Sequence, residues 1–167
     1  MPTKINVNMR TIVHKDTNGI CMGFPDVCKT PSPAGPIPIP YPNIAQSTDT
    51  AMGSTTVTMD GNPIMIKDAN FAQSTGDEAG SAGGGVASNT VKGKAEFVNY
   101  SFDVQVEGKN VCRLGDMMLL NKLSSPNTPP FPEVQAPSVA LPVLPPSDPA
   151  AQDWSLSKLE VSSDPAD

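Results

Sequence analysis

The sequence has little of what a membrane span, a secretory signal or a disulfide framework requires. No apolar run approaches the roughly 20 residues that cross a bilayer, and the N-terminal residues lack the apolar core of a signal peptide. Three cysteines are too few, and odd in number, for a disulfide framework. We therefore expect a protein made in the cytoplasm without a signal peptide, not integral to a membrane, that would leave the cell by another route.

Positive charge is also scarce. The 167 residues include 11 Lys and Arg against 17 Asp and Glu, which gives a net charge of −6. Residues 1–123 are nearly balanced, whereas residues 124–167 contain one lysine and six acidic residues. Neither part has the basic patch that binds a phosphate backbone, so we expect no nucleic-acid partner.

Turn-forming residues are abundant instead. The 13 glycines and 19 prolines favour short strands and turns over long helices. Alternating apolar segments around turn signals predict three hairpins. The first has arms near 9–14 and 20–24 around Asn18-Gly19, the second spans 54–67 around Asp60-Gly61, and the third spans 97–114 around Glu107-Gly108.

The second and third hairpins share the pattern V-x-[MV]-[DE]-G-x-x-[IV], which begins at Val57 and at Val104. The first hairpin fits as a degenerate third copy. An internal repeat of this kind indicates pseudo-symmetry, and three hairpins around one axis would cover strand edges that each would expose alone. The glycines of 80–85 lack the G-K-[ST] of a phosphate loop, so they predict a loop that closely approaches another backbone.

The composition changes from Ser124 onward. Residues 124–148 are rich in proline and predict an extended linker. Residues 149–167 are an acidic tail in which a short helix could begin at Pro149. The single tryptophan, Trp154, would either dock on the body or anchor a partner.

The imidazole and thiol groups are His14, Cys21, Cys28 and Cys112. No C-x-x-C pair is present, so a zinc site would need ligands that tertiary folding brings together, and such a metal would staple a small Pro- and Gly-rich fold. The alternative is that the cysteines are buried apolar residues. A catalytic Cys28–His14 pair is disfavoured because prolines follow Cys28 and leave no helix start beside it.

Five longer strings, in this order, resemble the PAAR-like (Tox-PAAR-like) domain family. The strings are FPDVCKTPSPAGPIPIPYPNIAQSTDT (24–50), DGNPIMIK (60–67), STGDEAGSAGGGV (74–86), KGKAEFVNYSFDV (92–104) and EGKNVCRLGDMM (107–118). The resemblance covers roughly residues 5–122. It implies a mainly β fold, a small cone of β-hairpins with pseudo-threefold symmetry, for residues 1–123, followed by the Pro-rich C-terminal extension.

The resemblance also implies a function. Domains of this family cap the trimeric VgrG-type spike of bacterial type VI secretion and related contractile injection systems, and their extensions carry effectors. We therefore expect a structural spike-tip protein rather than an enzyme, exported on the spike of the injection apparatus, with cargo attached through its tail. Two alternatives stay open: an adaptor whose tail binds a toxin or a chaperone, and a Cys- or metal-dependent hydrolase.

Better-known relatives hold zinc near the tip through His and Cys. The resemblance implies His14, Cys28 and Cys112 as zinc ligands, with Cys21 as the fourth, since LLNK stands where relatives often carry a further His. For contact with partners we expect apolar hairpin residues and the tail tryptophan, with core packing as the alternative for each hairpin residue. These residues are Ile64, Ile66, Phe97, Tyr100, Phe102 and Trp154.

Overall fold

The computed structural model describes residues 5–136. This range contains strands and one 3₁₀ turn at Ser47–Asp49, and it has no helix that could cross a membrane. The predicted mainly β fold class is confirmed. The strands are β1 (Asn6–Val7), β2 (Arg10–Thr11), β3 (Gly19–Thr30), β4 (Ile37–Gln46), β5 (Thr50–Ala51), β6 (Thr58–Met59), β7 (Asn62–Pro63), β8 (Asn70–Phe71), β9 (Ser74–Thr75), β10 (Gly84–Gly85), β11 (Lys94–Phe97), β12 (Gln105–Val106), β13 (Lys109–Asn110), β14 (Met117–Lys122) and β15 (Phe131–Gln135).

Three short hairpins repeat along the chain: β1 with β2, β6 with β7, and β12 with β13. Each has a two-residue turn, at Asn8-Met9, Asp60-Gly61 and Glu107-Gly108. Both central residues of every turn have positive φ, as the type I′ turn of a tight hairpin requires. The second and third hairpins are therefore where the sequence predicts them.

A ring of backbone hydrogen bonds joins the segments that follow the three hairpins. The Val13 N–H donates to the Cys112 carbonyl at 3.2 Å, the Cys112 N–H to the Met65 carbonyl at 2.9 Å, and the Met65 N–H to the Val13 carbonyl at 2.9 Å. We call Val13, Met65 and Cys112 the backbone ring. Three equivalent β-bridges surround it, Ile12 with Arg113, His14 with Ile64, and Ile66 with Val111. The predicted pseudo-threefold arrangement of hairpins is thereby observed.

The first hairpin differs from its prediction. Its turn is Asn8-Met9, whereas Asn18-Gly19 leads into the long strand β3. The Asn-Gly signal is outweighed by apolar packing, because this register places Val7 and Ile12 in one buried cluster with Met59, Ile64 and Val111. The third copy of the repeat is therefore real but begins earlier in the chain.

The proline-rich segment after β3 is a strand. β3 and β4 pair from Ile20 with Gln46 to Thr30 with Ile37, and their long hairpin lies in a nine-stranded sheet. Prolines 38, 40 and 42 alternate along the part of β4 that has β3 on one side only, because β9 pairs with β4 at Ile44 and Ala45. Their missing N–H groups therefore cost no ladder hydrogen bonds.

The main core lies between this sheet and the backbone ring. Phe71 and Phe97 meet edge to face at a centroid distance of 5.7 Å, and Met118 and Leu120 are fully buried beside them. Burial of these large side chains, at roughly 1.5–3 kcal/mol each, is the main source of stability for a body with such short strands.

The folded body extends beyond the predicted boundary at residue 123. Strand β15 lies within the predicted linker of 124–148, yet it pairs with β14 and with β3. Its residues alternate, and Glu133 faces the interior with Val134 outside, so the segment behaves as a half-buried strand. The predicted tail of 149–167, with Trp154, lies outside the described residues.

Candidate functional site

The four predicted zinc ligands are not brought together. Within residues 5–136, one group of three His, Cys, Asp or Glu ligand atoms lies within 4.8 Å of one another, and it contains Cys28 but none of the other three. Cys21 and Cys112 lie in the main hydrophobic core. Burial raises the pKa of the Cys21 thiol to about 12 and that of Cys112 well above its usual value, so both are buried neutral thiols.

His14 has a separate environment beside the second hairpin. Its Nδ1 accepts the Asp16 N–H at 3.2 Å, and its Nε2 faces Asp60 Oδ2 at 3.4 Å. Burial lowers the pKa of His14, although Asp60 and Asp16 act in the opposite direction. The ring is thus held as a neutral, fully buried side chain that links two neighbouring hairpins.

The group that does converge is Asp26, Cys28 and Asp77, which we call the Asp–Cys cluster. Asp26 and Cys28 are two residues apart on β3 and share its inner face, and Asp77 follows β9. The Cys28 Sγ lies 3.7 Å from Asp26 Oδ1 and 3.9 Å from Asp77 Oδ2. All three side chains are fully buried.

The glycine-rich loop closes over this cluster. Gly80 lies so near Cys28 that a Cβ on it would be 2.3 Å from the Cys28 Cβ. β10, formed by Gly84 and Gly85, pairs with Lys29 and Cys28. Small residues are needed because the loop backbone lies directly against β3, which is the role that the sequence indicated for these glycines.

Three asparagine amides surround Asp26. Asn43 Nδ2 donates to Asp26 Oδ2 at 2.7 Å, Asn121 Nδ2 donates to Asp26 Oδ1 at 3.3 Å, and Asn127 Nδ2 donates to the same Oδ1. The Lys92 N–H donates to Asp77 at 3.1 Å. Burial raises the pKa of Asp77 to about 6, and burial followed by the two carboxylates raises that of Cys28 to about 12.

Sequence reasoning found Cys28 but missed its partners. Asp26 is two residues from Cys28 in a segment that pairs as a strand, and that spacing is the signal that could have found it. Asp77 and the asparagines carry no such signal, because tertiary contacts between distant segments bring them to β3.

Most of the predicted partner-contact residues are core residues. Ile64, Ile66 and Phe97 are buried, and Tyr100 packs half-buried against the main core. Phe102 alone among the described candidates is exposed, at 82%. Core packing, the alternative that the sequence left open for each hairpin residue, is what the structure shows for Ile64, Ile66 and Phe97.

The exposed surface at the pseudo-threefold axis is made by the three turns, and we call it the hairpin end. Two of the turns, those of the first and third hairpins, contact the loop before a neighbouring hairpin. Asn8 Nδ2 donates to Asp103 Oδ1 at 2.9 Å, and the Glu107 carboxylate accepts the Thr55 and Thr56 N–H groups at 2.7 and 2.6 Å. These backbone hydrogen bonds lower the pKa of Glu107 to about 2.

Comparison with known proteins identifies the family. The Toxin PAAR-like domain matches residues 19–129. The chain belongs to this family. It is similar to the DNase toxin Tse7 of Pseudomonas aeruginosa, with 38% identity over 140 residues that cover 79% of this chain and 36% of the relative. The chain thus spans about a third of that relative's length, and no solved structure matches it.

These matches confirm one prediction and overturn another. The PAAR-like resemblance is confirmed by the family match. The prediction that the protein is not an enzyme is contradicted by a relative that is named a DNase toxin. That prediction was based only on the potential catalytic groups of this chain, whereas the match covers 36% of the much longer relative.

Proposed function

We propose that this protein is the spike-tip part of a type VI effector and that its hairpin end stacks on the blunt end of a trimeric VgrG-type spike. The observation that carries the proposal is the backbone ring, in which three chain segments exchange equivalent hydrogen bonds. A single chain with threefold pseudo-symmetry can make similar contacts with all three subunits of a trimer.

The chemistry of the hairpin end suits such a contact. Met9, at a turn, is 98% exposed, and Phe102 is exposed next to the Asn8–Asp103 contact. Large apolar side chains at the centre of an interface contribute most of its binding energy.

Substitutions at the hairpin end test this docking. The variant with Met9→Asp and Phe102→Asp should weaken capture by the cognate spike trimer by at least roughly tenfold. Met22→Asp is the matched control, because Met22 is exposed on β3 and lies outside the hairpin end. Equal binding by both variants and the wild type would place the contact elsewhere.

A second proposal concerns the toxin. We infer that this domain delivers an effector of the DNase class, because a DNase toxin contains a segment 38% identical to it. Purified effector carrying the Met9→Asp and Phe102→Asp changes should still degrade DNA in solution but should fail to kill recipient cells. Loss of DNA degradation in this folded variant would contradict the proposal that this domain serves delivery and that DNase activity resides in another part of the effector.

We also propose a role for the C-terminal tail. Residues 137–167 would recruit an effector or a chaperone, with Trp154 as the anchor. Deleting them should leave spike binding intact and abolish cargo delivery. Equal loss of spike binding and cargo delivery would show that the folded body needs this segment and that the segment is not specific to cargo.

A further inference from the structure

The Asp–Cys cluster combines two buried carboxyl groups and a buried thiol, and it has no cationic side chain as a partner among residues 5–136. Asp26 and Asp77 are fully buried, and the ion pairs of the described chain all involve other carboxylates. Buried carboxylates are as a rule paired with a cation, protonated, or bound to a metal, since an isolated buried charge is very costly. The asparagine amides hold Asp26 in place but carry no charge.

The spacing of the three ligand atoms matches one side of a metal site. Zinc binds thiolate at about 2.3 Å and carboxylate oxygen at about 2.0 Å in a tetrahedron, which places sulfur and oxygen ligands about 3.5 Å apart. The observed separations from Cys28 Sγ are 3.7 Å to Asp26 Oδ1 and 3.9 Å to Asp77 Oδ2. Small shifts of the side chains would bring all three onto one ion.

An unpartnered oxygen gives independent support. Asn43 is fully buried, and its Oδ1 has no hydrogen-bond partner within residues 5–136. The same amide donates from Nδ2 to Asp26 Oδ2, so its orientation is fixed beside the cluster. The Asn43 Cα also lies against Gly76, the residue before Asp77. A buried carbonyl oxygen that accepts no hydrogen bond is free to act as a ligand for a cation.

We propose that Asp26, Cys28 and Asp77 bind one divalent cation, that zinc is the cation whose ligand preference fits this set best, and that Asn43 Oδ1 is the fourth ligand. This site differs from the set implied by the family resemblance, since it uses Cys28 without His14, Cys21 or Cys112. Asn121 and Asn127 orient Asp26.

The ion would clamp parts of the chain that are far apart in sequence. β3 supplies two ligands, and β4 and the segment after β9 supply one each, while the orienting asparagines come from β14 and the segment that follows it. The clamp lies under the glycine-rich loop, where apolar side chains are few. Such a site would add to stability in the way that structural metals do in small folds.

Metal binding by the purified full chain tests the proposal. After removal of metal with a chelator, we expect zinc to rebind at about one ion per chain and to raise the unfolding temperature. Cobalt(II) in place of zinc should give thiolate-to-metal charge-transfer absorption and the visible bands of a tetrahedral ion. Both readouts use the wild-type chain and therefore do not depend on a variant that folds.

Variants assign the ligands. Cys28→Ser and Asp77→Asn should each weaken zinc binding by more than about tenfold, and Cys28→Ser should remove the charge-transfer band. Cys112→Ser and Cys21→Ser are matched controls, because they alter buried thiols outside the cluster, and both should keep the band.

Two results would overturn the site. One is a folded wild-type chain that binds neither zinc nor cobalt and whose unfolding temperature is the same with and without chelator. That result would mean that the buried carboxyl groups are protonated and neutral instead of metal-bound. The other is a charge-transfer band that survives Cys28→Ser and is lost in Cys112→Ser. Neither result bears on spike binding, which is measured separately.

Discussion

At the scale of single residues, Glu133 is the most unusual side chain of the body. It is fully buried on β15, and neither of its carboxylate oxygens has a hydrogen-bond partner in the described part of the chain. Burial, with a smaller contribution from Asp116, raises its pKa from 4.5 to about 8. The side chain is thus neutral in the folded protein at pH 7.

Glu133 therefore makes stability depend on pH. Between pH 4.5 and about 8 the folded state keeps a proton that the unfolded state loses, so the free energy of unfolding should fall as pH rises, by up to about 1.4 kcal/mol per pH unit. Glu133→Gln should reduce this slope and stabilise the protein at pH 7. Urea unfolding at pH 5, 6 and 7 measures both proteins, and equal slopes would contradict the buried neutral carboxyl.

The turn residues could be predicted from the local sequence, whereas the Asp–Cys cluster could not. Asp60-Gly61 and Glu107-Gly108 were predicted as turns because few dipeptides tolerate two successive positive φ values. The Asp–Cys cluster was not predicted, because its carboxylates and amides come from segments that only the fold brings together. The zinc-ligand set predicted from the His and Cys residues also differs from the structure. The spacing of cysteines in the sequence does not show that their thiols lie in an apolar core.

At the scale of elements, the backbone ring holds the three hairpins together. The Met65 side chain is buried at the ring, whereas Met9 at a turn is almost fully exposed. Met65→Ala should therefore lower the free energy of unfolding by about 2–5 kcal/mol. Met9→Ala should change it by less than about 0.5 kcal/mol. Chemical denaturation compares the two, and similar effects would show that the ring does not carry the stability assigned to it.

Strand β15 sets the true end of the described body. A chain that ends at Ala136 keeps β15 and should unfold cooperatively. A chain that ends at Leu123, the boundary predicted from composition, loses the strand between β14 and β3 and leaves both with an unpaired edge. Calorimetry and size-exclusion chromatography should show the shorter chain aggregated or unfolded. A stable, monomeric shorter chain would mean that β15 is dispensable.

The elements show why composition misplaced that boundary. Residues 124–148 were predicted as a linker because they are rich in proline, yet β15 lies within them, and the proline-rich β4 is likewise a strand of the main sheet. Prolines are compatible with β4 because they alternate along a part of the strand that pairs on one side only. Composition gives only the number of prolines. The fold depends on whether the proline nitrogen, which has no hydrogen, points toward a pairing strand or away from it.

At the scale of the whole molecule, one chain reproduces a threefold pattern with three unequal hairpins. The sequence repeat and the backbone ring agree on this arrangement. A monomer with this pseudo-symmetry needs no symmetric partner of its own and instead matches a trimer. We therefore expect one copy of this chain per spike trimer.

The most direct test is the mass of the complex between the purified chain and its cognate VgrG-type spike, measured by native mass spectrometry. We expect one chain for every three spike subunits, and loss of this 1:3 complex in the variant with Met9→Asp and Phe102→Asp. A complex with three chains per trimer, or no complex from folded proteins, would contradict this expectation.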